Sequence, residues 1–203
     1  MIGIVDYGLG NVQAFENIYR RLGFSVCSVK TPDELIKSDR LILPGVGAFD
    51  WAMQRLQGSG MLEALNHRVL QEGIPVLGVC VGMQIMAYDS EEGKEKGLGW
   101  IPGRVKRFKD GWFTQTTHLP HMGWNSIMAK PTEQLFKEIV APEYYFLHSY
   151  YFEPEQEDHV IARTNYGIEF ASAVRKGNIW ATQFHPEKSH HWGINLLNNF
   201  AAT

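Results

Sequence analysis

The sequence predicts an α/β fold, with a parallel sheet in its first half and an antiparallel or mixed continuation in its second. Three observations carry that expectation. Short β-rich runs alternate with helical patterns as far as Ala87. The apolar run Ile74-Pro75-Val76-Leu77 leads straight into a glycine-flanked turn, Gly78-Val79-Cys80-Val81-Gly82. Beyond Ala87 the runs are β-type and separated by turns, and one helical pattern closes the chain. The 203 residues contain no repeat, low-complexity tract or linker, so a single domain over 1–203 is the simplest organisation.

The first strand is Ile2–Val5, followed by the turn Asp6-Tyr7-Gly8-Leu9-Gly10-Asn11. Asn11 caps a helix whose apolar positions Val12, Phe15, Ile18, Tyr19 and Leu22 keep the helical period, and Gly23 closes it. Strands at 24–29 and 40–43 bracket Thr31-Pro32, a cap followed by proline at the first helical position. Pro44-Gly45-Val46-Gly47 then opens helical segments at 48–56 and 62–70. The fourth strand carries Cys80, with a helix at 82–87 behind it. Ser90-Glu91-Glu92-Gly93-Lys94-Glu95-Lys96-Gly97 reads as a solvated loop. Strands follow near 104–108, 113–118, 145–148, 160–163, 171–175 and 179–184, and a last helix over 193–200 turns Ile194, Leu197 and Phe200 inward. The runs Tyr144-Tyr145-Phe146 and Tyr150-Tyr151-Phe152 read as core and sheet packing rather than a base-stacking platform.

Composition narrows the function. At 44% hydrophobic and 20% charged, the chain is ordinary for a globular protein. A net charge of −3 offers no positive field for phosphate backbones, so nucleic acid is not an expected partner. The opening residues have no basic and apolar leader pattern, and no apolar run is long enough to span a bilayer. No membrane role is expected, and the cytoplasm is the expected location. Cys27 and Cys80 show no Cys-x-x-Cys spacing, which fits a reducing compartment. Adjacent histidines such as His190-His191 rarely converge on one ion and no third ligand stands at a fixed spacing, so no metal and no cofactor is expected. Gly8-Leu9-Gly10 is too short for a dinucleotide fingerprint.

The chemistry sits in three segments. A strand-to-glycine turn lifts the side chain of Cys80 out of the sheet, as in the nucleophile elbow of serine hydrolases. The thiol, with a reference pKa of ~8.5, is made more reactive by an imidazolium or by a helix start behind it. In Gln183-Phe184-His185-Pro186-Glu187, proline discourages helix, and in extended chain residues two apart point the same way. Glu187 then orients one imidazole nitrogen of His185 while the other faces Cys80. Oxyanion donors, each worth ~3 kcal/mol in the transition state, are available from the backbone of Val81 and of Val46 or Gly47. Read singly, Cys80 is equally a small apolar residue at a buried strand end, and His-Pro-Glu a surface turn. Cys27, in Ser25-Val26-Cys27-Ser28-Val29, has no elbow and reads as structural.

Taken together, these motifs resemble the class I, triad-type glutamine amidotransferases. The resemblance runs from Met1 to Phe200. It is closest to the glutaminase subunit of imidazole glycerol phosphate synthase, also through His121-Met122-Gly123-Trp124-Asn125, His148-Ser149-Tyr150 and Gln183-Phe184-His185-Pro186-Glu187-Lys188-Ser189. It implies a flavodoxin-like three-layer α/β sandwich with a mixed sheet. It also implies a catalytic Cys80, His185 and Glu187, and a substrate, L-glutamine, held by residues at Gly47, Gln84, Ser149 and Tyr150. A synthase-facing surface would carry Asn11, Trp124, Tyr145 and Lys188. The implied partner is a separate (β/α)8-barrel cyclase subunit in a heterodimer, which receives the ammonia for histidine biosynthesis. His190-His191-Trp192 departs from the small or polar residues the family carries after Lys188-Ser189. Paralogues that supply ammonia for the amination of cell-surface sugars are therefore a second reading, and a cysteine peptidase or other amide hydrolase is a third.

Overall fold

The computed structural model describes residues 1–113 and 119–203. The strand expected over 113–118 therefore lies, past Phe113, outside the described residues. The first half runs β1 (Ile2–Val5), α1 (Val12–Arg21), β2 (Val26–Val29), α2 (Pro32–Ile36), β3 (Arg40–Gly45), α3 (Phe49–Gly58), α4 (Leu62–Asn66), β4 (Val76–Cys80) and α5 (Val81–Gln84). The second half runs β5 (Gly103–Arg107), β6 (His121–Ser126), β7 (Met128–Ala129), β8 (Glu143–His148), β9 (Tyr150–Pro154), β10 (Val160–Tyr166), β11 (Ile168–Lys176), β12 (Ile179–Thr182) and α6 (His190–Ala201).

Eight strands form one sheet in the order β2-β1-β3-β4-β12-β11-β10-β7. From β2 to β12 the pairs are parallel, and from β12 onward they are antiparallel, so the sheet is mixed as expected. Every residue of β1, β4 and β12 is buried, whichever way its side chain points. Strands buried on both faces need cover on both, which makes the domain three layers. Two antiparallel ribbons, β5–β9 and β6–β8, stand apart from this sheet.

Local chemistry explains the helix starts. Asn11 Oδ1 accepts from Ala14 N at 3.3 Å, and Thr31 with Glu34 closes a capping box ahead of Pro32. Of the stripe read from the sequence, α1 buries Phe15 and Tyr19, while Val12, Ile18 and Leu22 are half-buried against the core. A close backbone approach joins β3 to α5. A Cβ on Gly82 would lie 1.9 Å from the Leu43 carbonyl oxygen, and one on Gly45 would lie 2.6 Å from Gly82 N. Glycine is required there because two main chains touch.

Several expectations need correction. β2 begins at Val26, because Phe24 N is still bonded to Tyr19 O at the exit of α1. The segment expected over 62–70 is α-helical to Asn66 and then a π-helical turn, His67–Gln71. The helix expected over 82–87 starts one residue earlier and spans only Val81–Gln84. β6, β7 and β9 went unforeseen, and β12 stops at Thr182 rather than 184. α6 begins three residues early, at His190, and buries Leu196, Leu197 and Phe200, with Ile194 only half-buried. The acidic loop after Ser90 is not simply solvated. Asp50 accepts from Lys94 N and Glu95 N, and Glu92 accepts from Phe49 N at 2.8 Å, which ties the loop to the start of α3.

Gly82→Ala is expected to cost at least about 2 kcal/mol, since its Cβ meets backbone that cannot rotate away. Gly58→Ala, in the exposed last turn of α3 with nothing within 4 Å of the new methyl, is expected within about 1 kcal/mol of wild type on the stabilising side. Urea or thermal unfolding of the two variants measures both.

Candidate active site

Strand order assembles the site. β4 lies between β3 and β12, with Cys80 in register with Gly45 and Val79 in register with Thr182. Parallel strands leave their C-terminal ends at one rim. The turn after β3, the cysteine ending β4 and the chain leaving β12 therefore meet without any long-range adjustment. Cys80 has φ 56° and ψ −113°, a left-handed conformation that a non-glycine residue adopts only where the surroundings impose it. This is the strained elbow read from Gly78 to Gly82. The sulfur is 4% exposed at the residue level, accepts from Gln183 Nε2 at 3.8 Å, and lies 3.9 Å from the Leu147 carbonyl oxygen.

His185 reaches the same sulfur from β12. Its backbone is extended, and Pro186–Lys188 then curls into a 3-10 turn, so the path is not extended through Glu187 as the sequence suggested. The carboxylate still reaches the ring, with Glu187 Oε1 2.8 Å from His185 Nδ1 and both side chains 2% exposed. His185 N donates to Tyr145 O at 2.9 Å and Ser189 Oγ donates to His185 O at 2.6 Å, which fixes the main chain on both sides. Burial disfavours charge on the ring, but hydrogen bonds to Cys80 and Glu187, with their charges, outweigh it and push His185 up to about 10. With Nδ1 on the carboxylate, the other nitrogen serves the sulfur. The four-residue α5 adds little dipole, so the positive charge beside the sulfur is the ring's.

A cavity of about 280 Å³, at the small end of ligand-binding clefts, opens on Cys80 and His185. Val46, Gly47 and Val81 line it, as do Gln84, Ser149 and Tyr150. The candidate donor residues Val81, Val46 and Gly47 and the four positions that the family resemblance assigns to glutamine thus line one cavity. Gln84 is itself buried, and its Nε2 donates to Tyr150 O and Gln183 Oε1 at 3.1 Å each, tying together two walls of the cavity. Lys188, expected on the synthase side, also lines the cavity. Trp124, 43% exposed, lies near Tyr145 at 6.3 Å and is stacked on His190 at 5.1 Å, and Lys188 Nζ sits 5.7 Å over the Tyr145 ring. Asn11 is exposed at the same rim, next to Gly10, which packs on Pro44.

Sequence reading missed two lining residues with chemistry. Glu92 brings a half-buried carboxylate to the cavity, its pKa raised by burial and by Asp50, which outweigh the opposing bond from Phe49 N. His148 brings a second imidazole. The acidic run around Glu92 looked like solvent-facing charge, and only its fold onto α3 reveals otherwise. Among the described residues, no group of three or more His, Cys, Asp or Glu is placed to hold a metal ion, and no helix is long and apolar enough to cross a membrane.

A cysteine on a strained elbow, with a histidine and a carboxylate at the next strand's end, is the layout of triad-type acyl-transfer sites. Comparison with known proteins narrows that class. A sequence model of the family "Glutamine amidotransferase class-I" matches residues 3–203, and the chain belongs to that family. It is 50% identical over 202 residues to the imidazole glycerol phosphate synthase subunit HisH of Bdellovibrio bacteriovorus, covering 99% of each chain. It is 49% identical over 203 residues to the subunit of the same name in Leptospira interrogans, covering 100% of each. Solved structures agree on the fold. One glutamine amidotransferase superposes with a TM-score of 0.75 at 20% identity, covering 98% of each chain. A glutamine amidotransferase from Thermotoga maritima gives 0.65 at 17% identity, covering 99% of this chain and 82% of that one.

A ring whose folded-state pKa lies above its unfolded value stabilises the fold fully below pH 6.5, and that contribution disappears as pH rises through about 10. Glu187→Gln removes one of the two groups that raise His185, so its midpoint is expected to fall and the alkaline loss of stability to begin earlier. Imidazole NMR and melting curves between about pH 6 and 11 test this, and an unchanged midpoint would remove Glu187 as a cause.

Proposed function

We propose that the chain is the glutaminase subunit of an imidazole glycerol phosphate synthase, hydrolysing L-glutamine to glutamate and ammonia for histidine biosynthesis. The observation that carries the chemistry is the meeting of Cys80 and His185 at one small cavity, with Glu187 bonded to the ring from behind. The full-length identity of 49–50% to relatives bearing that subunit's name supports the pathway over a sugar-amidating paralogue or a peptidase. The chain acts as one amidotransferase domain over 1–203, in the cytoplasm.

The proposed reaction follows from the site. Cys80 gives its proton to His185, and the thiolate attacks the side-chain amide carbon of glutamine. The oxyanion is met by the backbone N–H of Val81 and of Val46 or Gly47. His185, held by Glu187, passes the proton to the departing nitrogen, leaving ammonia and a γ-glutamyl thioester. The ring then takes a proton from water as that water attacks the thioester, and glutamate leaves as the thiol is restored. Gly47, Gln84, Ser149 and Tyr150 hold the substrate, and Glu92 faces its α-ammonium group, the one cation that glutamine brings. Ammonia freed into water would become non-nucleophilic ammonium, so a partner must take it directly. Asn11, Trp124, Tyr145 and Lys188 face that partner, a cyclase subunit with a (β/α)8 barrel, in a heterodimer.

Cys80→Ala is expected to abolish glutamine-dependent synthesis by the reconstituted pair and to leave synthesis from ammonium salts intact. Loss of both would sink the division of labour. Glu92→Gln is expected to raise KM for glutamine about tenfold with little change in kcat, because it removes one charge-assisted contact made equally in ground and transition states. Steady-state kinetics with glutamine varied decides it.

A further inference from the structure

The reaction above leaves one buried titratable pair unused. His121 on β6 and His148 on β8 are opposite each other in the ribbon register, 3% and 6% exposed, with His121 Nδ1 2.9 Å from His148 Nε2. His148 Nδ1 is 2.8 Å from the Tyr150 carbonyl oxygen. A carbonyl only accepts, so Nδ1 of His148 carries the hydrogen and Nε2, in the neutral ring, is an acceptor. At the far end Asn125 Nδ2 donates to Asn165 O at 3.0 Å and also faces His121 Nε2 at 3.2 Å. The amide nitrogen is thereby assigned, so Nε2 of His121 accepts and its Nδ1 carries the hydrogen. Both ends impose the same polarity. The chain runs Asn125 to His121 to His148 to Tyr150 O, every link has one donor and one acceptor, and both rings are neutral. A further proton on either ring would set N–H against N–H.

We propose that His121 and His148, with Asn125, are positioning residues for the glutamine site, locking the Ser149–Tyr150 wall through the Tyr150 carbonyl. Among the described residues, His148 Nδ1 and Gln84 Nε2 are the side-chain donors to that oxygen, and both come from residues lining the cavity. Removing the ring leaves the carbonyl short of a partner in a buried site and frees two residues that face the substrate. The pair is also protected from titration. Burial lowers His121 to about 4 and, aided by the charges of His121 and His185 against the Tyr150 bond, lowers His148 to about 3. Among the described residues, the titratable groups facing the pair are Tyr166 of β10, whose ring stacks on His121 at 3.9 Å, and His185, a like charge when protonated. A neutral wall beside a charged His185 leaves one imidazole to carry protons in the cavity rather than two.

The proposal rests on the glutaminase reading for its kinetic test but not for its spectroscopic one. Long-range 1H–15N correlation of the imidazoles in the full chain is expected to show the Nδ1–H tautomer for both His121 and His148, with neither ring becoming cationic down to about pH 5. An Nε2–H tautomer in either ring, or a midpoint near 6.5, overturns it whether or not the chain hydrolyses glutamine. In the reconstituted enzyme His148→Phe is expected to raise KM for glutamine about tenfold with kcat changed less than about threefold. His148→Asn, whose amide nitrogen replaces Nδ1, is expected to restore most of the KM. Unchanged KM in His148→Phe, or equal loss in both variants at equal melting temperature, overturns the proposal. If the phenylalanine variant fails to fold, the tautomers and the KM of His148→Asn and Asn125→Ala decide, and a wild-type KM for Asn125→Ala counts against the chain. A wild-type enzyme that hydrolyses no glutamine would instead remove the functional reading and leave the tautomer result standing.

Discussion

The placement of β4 between β3 and β12 is the constraint on which everything else depends. Parallel neighbours must end at a common rim, and here they end in register, with Gly45 beside Cys80 and Thr182 beside Val79. Three segments far apart in sequence are thus delivered to one point by main-chain hydrogen bonds alone. The contact of Gly82 with Leu43 O then leaves Cys80 no relaxed conformation, and the strain of its positive φ is held by a packed sheet on both sides.

Around that rim the polar groups divide into two kinds. Cys80 and Glu187 bond to His185 and favour charge on it, while Gln183 donates to the sulfur. The β6–β8 ribbon presents a neutral surface, in which two imidazoles satisfy one another and the Tyr150 carbonyl. The ribbon is nevertheless bound to the reactive groups by its backbone, since Tyr145 O accepts from His185 N and Leu147 O lies against the sulfur. Its outer face carries Met122, Trp124 and Leu147, all exposed. One thin element therefore borders both the cavity, through Leu147 and His148, and the proposed partner surface.

Much of this was legible in the sequence because the decisive signals are local. Glycines flanking Cys80 and caps at Asn11 and Thr31 each act within a few residues, and each was read correctly for its element, whereas the proline between His185 and Glu187 opens a 3-10 turn rather than an extended path. What escaped depends on distant partners. β6 contains His121, Gly123 and Asn125, poor strand formers whose pairing comes from β8 across the ribbon. Glu92 belongs to a run of charges that composition alone assigns to solvent, and it is the Asp50 contact to Lys94 and Glu95 that folds it inward. His148 was quoted as part of a motif, yet its tautomer follows only from Asn125 and Tyr150, on other strands.

The order of the segments along the chain has a further consequence. Cys80 is made well before the ring that attends it, which follows β12. A polypeptide emerging from the ribosome displays the sulfur long before any imidazole can dock beside it, since β12 must first slot in against β4. On the chemistry proposed here, a truncated or half-made product is inert toward amides, and the reactive pair comes into being only as the last strand closes the sheet.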